Sequence, residues 1–249
     1  SFEAIRRFYR DFYRPGLIAV IAVGDFAPGR VEALIREEFH AIAPGNIARA
    51  RDNPPAPIYD APTVSVASDP EATYTGVSVS WRRPYEPFRT PDDLRRNAWN
   101  GLIVAILNDR LREIAQKSNA PFLGANAGKS RFPRPIDAFS LGAGVKDGGA
   151  TRGLRAVLVE AERARRFGLT PTEVERQKRN LLRSMEIAYN EREKTESDDY
   201  AGEAVSHFLG GDPAPGIEYE YPLAQRILPS ITPDELNRVV ASWLSPKGR

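Results

Sequence analysis

The chain has 249 residues, 41% apolar and 27% charged, enough for one large domain or two small ones with a buried core. Its 35 basic and 33 acidic residues nearly cancel, which excludes a global field that would steer it to nucleic acid or to an anionic membrane. It has no cysteine, so disulfides, thiol catalysis and cysteine-ligated zinc are excluded together, while the compartment stays open.

Residues 1–13 carry Phe2, Ile5, Phe8, Tyr9, Phe12 and Tyr13 at three and four spacing, the stripe of an amphipathic helix, and Pro15-Gly16 stops it. The continuous apolar run LIAVIAV at 17–23 predicts a buried strand, and Val31 to Phe39 a second helix. Residues 43–62 hold Pro44, Pro54, Pro55, Pro57 and Pro62 and read as a semi-rigid connector, the main domain boundary. Beyond it, TVSVAS at 63–68 and then TYTGVSVSWRR alternate apolar with small residues and predict two strands with one face buried.

Thr90-Pro91-Asp92-Asp93 supplies a cap, a first-turn proline and acidic residues for a long helix over 92–117. Two glycine-containing strands at 122–132 and 136–146 are joined through Pro133 and Pro135, prolines that suggest a sheet edge. A helix over 151–167 follows, and Thr170-Pro171-Thr172-Glu173 opens another that runs to about residue 194. Shorter helices are expected at 197–209 and 221–228, with a last one from Thr232-Pro233-Asp234-Glu235 to Leu244. The fold class is α+β, with a mixed, largely antiparallel sheet and helices packed on one face.

The two ends read as one repeated unit. Laying residues 1–15 over 232–246 without a gap pairs Ser1 with Thr232, Ile5 with Leu236, Phe8 with Val239, Phe12 with Trp243 and Pro15 with Pro246. The first copy continues into LIAVIAV, whereas the second stops at Lys247-Gly248-Arg249, so the second lobe is expected to lack its final strand. The strand at 17–23 is then expected to fill the vacated sheet position, since an unpaired buried edge is costly.

The run FYRDFYRPGLIAVIAVGDFAPGRVEALIREEF resembles the segment at the end of the first lobe of pitrilysin-type (insulinase-like) zinc metallopeptidases. The segments SDPEATYTGVSVSWRRP, APFLGANAG, REKTES and GIEYEYPLAQRILPSITPDELN are similar to the second lobe of bacterial zinc proteases of that family. The resemblance implies a processing-peptidase-like lobe, two structurally similar lobes per half, and halves that close on unfolded peptide. On that basis residues 1–42 end the preceding catalytic lobe, 43–62 link, and 63–249 form a non-catalytic second lobe whose partners are that catalytic lobe and extended peptide substrates. Zinc belongs to the parent's first lobe, on an H-x-x-E-H motif that this sequence lacks. A periplasmic or envelope address is also implied by family.

The residues themselves offer little chemistry. Zinc hydrolysis needs three ligands, an open position and a base, and the only histidines, His40 and His207, lie far apart, each spaced from a glutamate as in an ordinary helix-face contact. No catalytic and no metal-ligating residue is therefore assigned. Gly124, Asn126 and Gly128 lack the strand-to-helix setting of a phosphate loop. In related insulinases the corresponding region offers a sheet edge to a peptide strand, which makes these three with Phe139, Ser140, Leu141 and Gly142 the candidate peptide-binding residues; the alternative is plain sheet structure. Arg163, Arg165, Arg166, Arg176, Lys178, Arg179 and Arg183 share their helices with Glu160, Glu162, Glu173 and Glu175, a solvated mixture and not a nucleic-acid surface. The parent is expected to hydrolyse peptides with zinc; the alternative is an inactive scaffold or peptide-binding subunit.

Overall fold

The computed structural model describes residues 1–42, 58–132, 136–245 and 249. Two compact units result: residues 1–53 with 190–216, and residues 54–189 with 217–249.

The first unit holds α1 (Phe2–Phe12), α2 (Pro28–Phe39) and α6 (Ser197–Gly210). Ser1 caps α1 by accepting from the Ala4 N–H, and Gly211 closes α6 in the left-handed conformation, φ 72°. None of the three helices has a buried residue. Phe2, Ile5, Phe8 and Tyr9 of α1 and Phe208 and Leu209 of α6 are all exposed.

The second unit contains a three-stranded antiparallel sheet, β1 (Thr75–Pro84), β2 (Gly124–Phe132) and β3 (Ile136–Val145), in the order β1-β3-β2. Alternation in the sequence sets its faces. Val77, Val79 and Trp81 stand opposite Ala143, Leu141 and Phe139, which stand opposite Ala125, Ala127 and Lys129; this face meets α3 (Pro91–Ala115) and α4 (Ala150–Phe167). The other face carries Gly76, Ser78, Gly124, Asn126, Ser130 and Gly144, all exposed. Helices thus cover one face, as expected.

Helix α3 contributes Leu102, Ile103, Ile106, Leu107 and Leu111 to the core, each at most 3% exposed. Helix α5 (Pro171–Asn190) adds Val174, and α8 (Pro233–Trp243) adds Leu236, Val240 and Trp243; α7 (Ile217–Ile227) buries Leu223 and Ala224. A fully buried side chain of this size contributes about 1.5–3 kcal/mol, so the second unit holds the stabilising core. Gly153 lets α4 approach the sheet: a Cβ there would lie 2.3 Å from Val145 Cγ1 and 3.5 Å from Val77 Cγ2. The capping boxes at Thr90-Asp93 and Thr232-Glu235 form as their sequences require.

Two expected strands do not form. Residues 15–17 make a 3₁₀ turn and residues 18–23 follow without joining any ladder, with Ile18 51% and Val20 45% exposed. The expectation that 17–23 fills the vacated sheet position is therefore overturned. Residues 63–68 likewise make no ladder, and Val64 and Val66 are 87% and 88% exposed. Both runs have strand composition, but a strand exists only where a neighbour takes its backbone groups, and among the described residues none does. Residues 43–57 of the expected connector, and Pro133 and Pro135, lie outside the described residues.

The repeat is matched element for element. Ser1 and Thr232 are both N-caps, α1 and α8 both have 11 residues, and Phe12 and Trp243 both end their helices.

Candidate functional site

The candidate peptide-binding residues fall on two strands of different standing. Gly124, Asn126 and Gly128 lie on β2, an edge strand of the sheet. Phe139, Ser140, Leu141 and Gly142 lie on β3, the central strand, which is paired on both sides. Their backbone has no side left for another strand, and the Phe139 and Leu141 side chains sit in the core at 3% and 0% exposure. Register nonetheless brings the two groups together: Asn126 stands opposite Gly142 and Gly128 opposite Ser140.

The outer edge of β2 is not uniformly open. Asn108 of α3 donates from Nδ2 to the Ala127 carbonyl at 3.1 Å, and its Oδ1 accepts from the Ala127 N–H at 2.8 Å. One side-chain amide thus occupies both main-chain positions that an added strand would need at the centre of β2. Sequence reasoning missed Asn108; the signal was a lone amide beside the buried run Leu102, Ile103, Ile106 and Leu107. Because Ala127 turns its polar groups away from β3, ladder alternation makes Asn126 and Gly128 the residues bonded to β3. By the same alternation Leu141 faces β1 and bonds Val79, so Gly76, Ser78 and Ser80 turn their N–H and C=O groups to the outer edge of β1.

The charged side chains are absorbed by structure. Arg110, 5% exposed, donates from Nε to Glu173 Oε1 at 2.6 Å and from Nη2 to Glu173 Oε2 at 2.7 Å. It also donates to Glu160 Oε1 at 3.3 Å and to the Gly168 carbonyl at 3.1 Å, so one guanidinium ties α3 to α4 and α5. Burial pushes the Glu173 carboxyl up, but the hydrogen bonds from Arg110 and Thr170 outweigh it and hold the group down at about 2. Arg163 pairs with Glu160, Arg165 and Arg166 with Glu162, Arg176 with Asp109 and Lys178 with Glu175. Five of the seven basic residues of the cluster are thereby engaged with carboxylates, and Arg179 donates from Nε to the Glu175 carbonyl at 3.3 Å.

The described residues gather no zinc site. Among the described residues no group of three or more His, Asp or Glu converges. His40 Nδ1 is bonded to the Glu37 carbonyl and His207 Nδ1 to the Asp212 carbonyl, both single contacts on exposed surface.

The comparisons with known proteins give the class of this fold. The family described as peptidase M16 inactive domain matches residues 1–181. The chain belongs to that family. It is 26% identical over 241 residues to a zinc protease PQQL-like protein of Arabidopsis thaliana, covering 94% of this chain and 22% of that protein. It is 20% identical over 233 residues to the probable zinc protease PqqL of Escherichia coli, covering 93% of this chain and 25% of that protein. The chain thus spans about a quarter of the length of these curated relatives. Its fold superposes on the crystal structure of the first half of the periplasmic protease PqqL from Escherichia coli with a TM-score of 0.82, at 20% identity, covering 97% of this chain and 52% of that one. No helix of the described residues is long and apolar enough to cross a membrane.

Proposed function

We propose that this chain walls the peptide chamber of a zinc-dependent metalloendopeptidase and supports the catalytic lobe of the same longer protein. The carrying observation is a well-packed inactive domain joined to a unit whose apolar side chains are uncovered: Phe2 is 75% exposed, Ile5 68%, Phe8 57% and Tyr9 62%. At about 1.5–3 kcal/mol for each such side chain once buried, this surface is best explained as one that the preceding lobe covers. Residues 1–42 then close that lobe, 43–62 link, and 63–249 are the second lobe, a reading that the correspondence of α1 with α8 supports.

Zinc and peptide hydrolysis belong on this reading to the longer protein, supported by the names of the relatives. Extended peptide is held along the edge of β2, the strand that carries Gly124, Asn126 and Gly128, with Phe139, Ser140, Leu141 and Gly142 on the strand behind it. Asn108 confines a bound strand to the parts of the β2 edge on either side of Ala127. The periplasm is the proposed compartment, supported by the periplasmic protease whose fold this chain shares.

Metal analysis of purified protein tests this reading. The longer protein is expected to hold stoichiometric zinc that a chelator removes, and the 249-residue chain to hold none. A longer protein without zinc would favour the inactive scaffold instead.

A further inference from the structure

Strand β2 is an edge that its own first half does little to protect. It runs nine residues, Gly124–Phe132, in unbroken register with β3, and Gly124, Ala125, Asn126, Ala127 and Gly128 bring neither charge nor proline nor bulk. A long, regular edge of that kind is a template for another strand, and β2 of a second copy is always at hand.

Alternation limits the ways in which two such edges can meet. The residues that turn N–H and C=O outward are Ala125, Ala127, Lys129 and Arg131. In an antiparallel pair of two β2 strands these residues face one another across a twofold axis. Registers that set Lys129 or Arg131 opposite Lys129 or Arg131 bring like charges face to face and are disfavoured. Every other register that overlaps more than the strand ends uses the N–H and C=O of Ala127. In the one centred there, Ala127 meets Ala127, Ala125 meets Lys129 and Leu123 meets Arg131, with no like pair.

Asn108 occupies that centre. A carboxamide carries the donor and the acceptor of a peptide group, and Asn108 gives both to Ala127, accepting from its N–H at 2.8 Å and donating to its carbonyl at 3.1 Å. Ile106, Leu107 and Leu111, all fully buried, fix this stretch of α3 in the core. A second β2 would therefore have to displace a held amide before making its central bonds.

We propose that Asn108 guards the β2 edge against pairing with a second copy of this chain, while Lys129 and Arg131 exclude the registers that it leaves open. This goes beyond the holding of peptide and depends on neither zinc nor a catalytic lobe.

Light scattering of the wild-type and Asn108→Ala chains across one dilution series tests it. Asn108→Ala is expected to rise to twice the wild-type mass as concentration increases, with the amides of Ala125 and Lys129 exchanging more slowly as the pair forms. Leu123, 65% exposed, supplies the control. Leu123→Lys added to Asn108→Ala sets a lysine opposite Arg131 on both sides of the twofold axis and should restore the wild-type mass. A folded Asn108→Ala chain with the wild-type mass throughout overturns the proposal. So does a heavier variant whose mass Leu123→Lys leaves unchanged, which would be association through unfolded chain or another surface. Should Asn108→Ala fail to fold by circular dichroism, Asn108→Ser is read by the same criteria.

Discussion

Asn108 and Ala127 form a two-point contact, with the side-chain amide of one accepting from and donating to the peptide groups of the other at 2.8 and 3.1 Å. Ala127 is 5% exposed, so removing the amide strands a buried donor and acceptor. Asn108→Ala is expected to lower stability by about 1–3 kcal/mol, measured by urea unfolding. The same variant should bind extended peptide more tightly, because the centre of the β2 edge is released. A weaker or unchanged peptide affinity, by fluorescence anisotropy, would count against strand addition on β2.

Arg110 carries the buried charge balance between α3, α4 and α5. Arg110→Met leaves Glu160, 3% exposed, and Glu173 without their shared cation, and is expected to cost about 3–5 kcal/mol in denaturant unfolding.

Acid should reach the same network from the other partner. Glu173 is held at about 2 in the folded chain, below the value of about 4.3 for an unperturbed glutamate. Its contribution is therefore fully present above the unfolded value and is lost as pH falls from about 4.3 toward 2. Glu173→Gln should flatten the stability profile in that window, measured by thermal unfolding at stepped pH.

Gly153 marks the closest approach of α4 to the sheet. Gly153→Val would drive a side chain into Val145 and Val77 and is expected to destabilise by about 1–3 kcal/mol or more, read as a lower Tm by circular dichroism.

Phe8 separates the two settings of the first unit. It is 57% exposed and 4.9 Å, centroid to centroid, from Phe12. Phe8→Ala should change the unfolding of the 249-residue chain little, and should cost about 3–5 kcal/mol in the longer protein if the preceding lobe buries it. Equal small effects in both would remove the support for the lobe assignment.

What the sequence disclosed follows from how local each feature is. The boxes at Thr90-Asp93, Thr170-Glu173 and Thr232-Glu235 are complete within four residues, and each opens a helix where it stands. The alternation of Val77, Val79 and Trp81 set the buried face of β1 before any partner was known. Residues 17–23 and 63–68 were read as strands from composition, yet pairing is a tertiary property that composition does not supply. The strand order that places Phe139–Gly142 at the centre of the sheet, and the reach of Asn108 to Ala127, are likewise set by packing. The uncovered apolar stripe of α1 was legible as amphipathic; that nothing in the described chain buries it was not.

The most direct test of the central claim is hydrolysis of an unfolded peptide by the 249-residue chain and by the longer protein, side by side, with zinc and with chelator. The account predicts zinc-dependent cleavage by the longer protein and none by this chain. Zinc-dependent turnover by the highly purified chain, abolished by substituting His40 or His207, would contradict it.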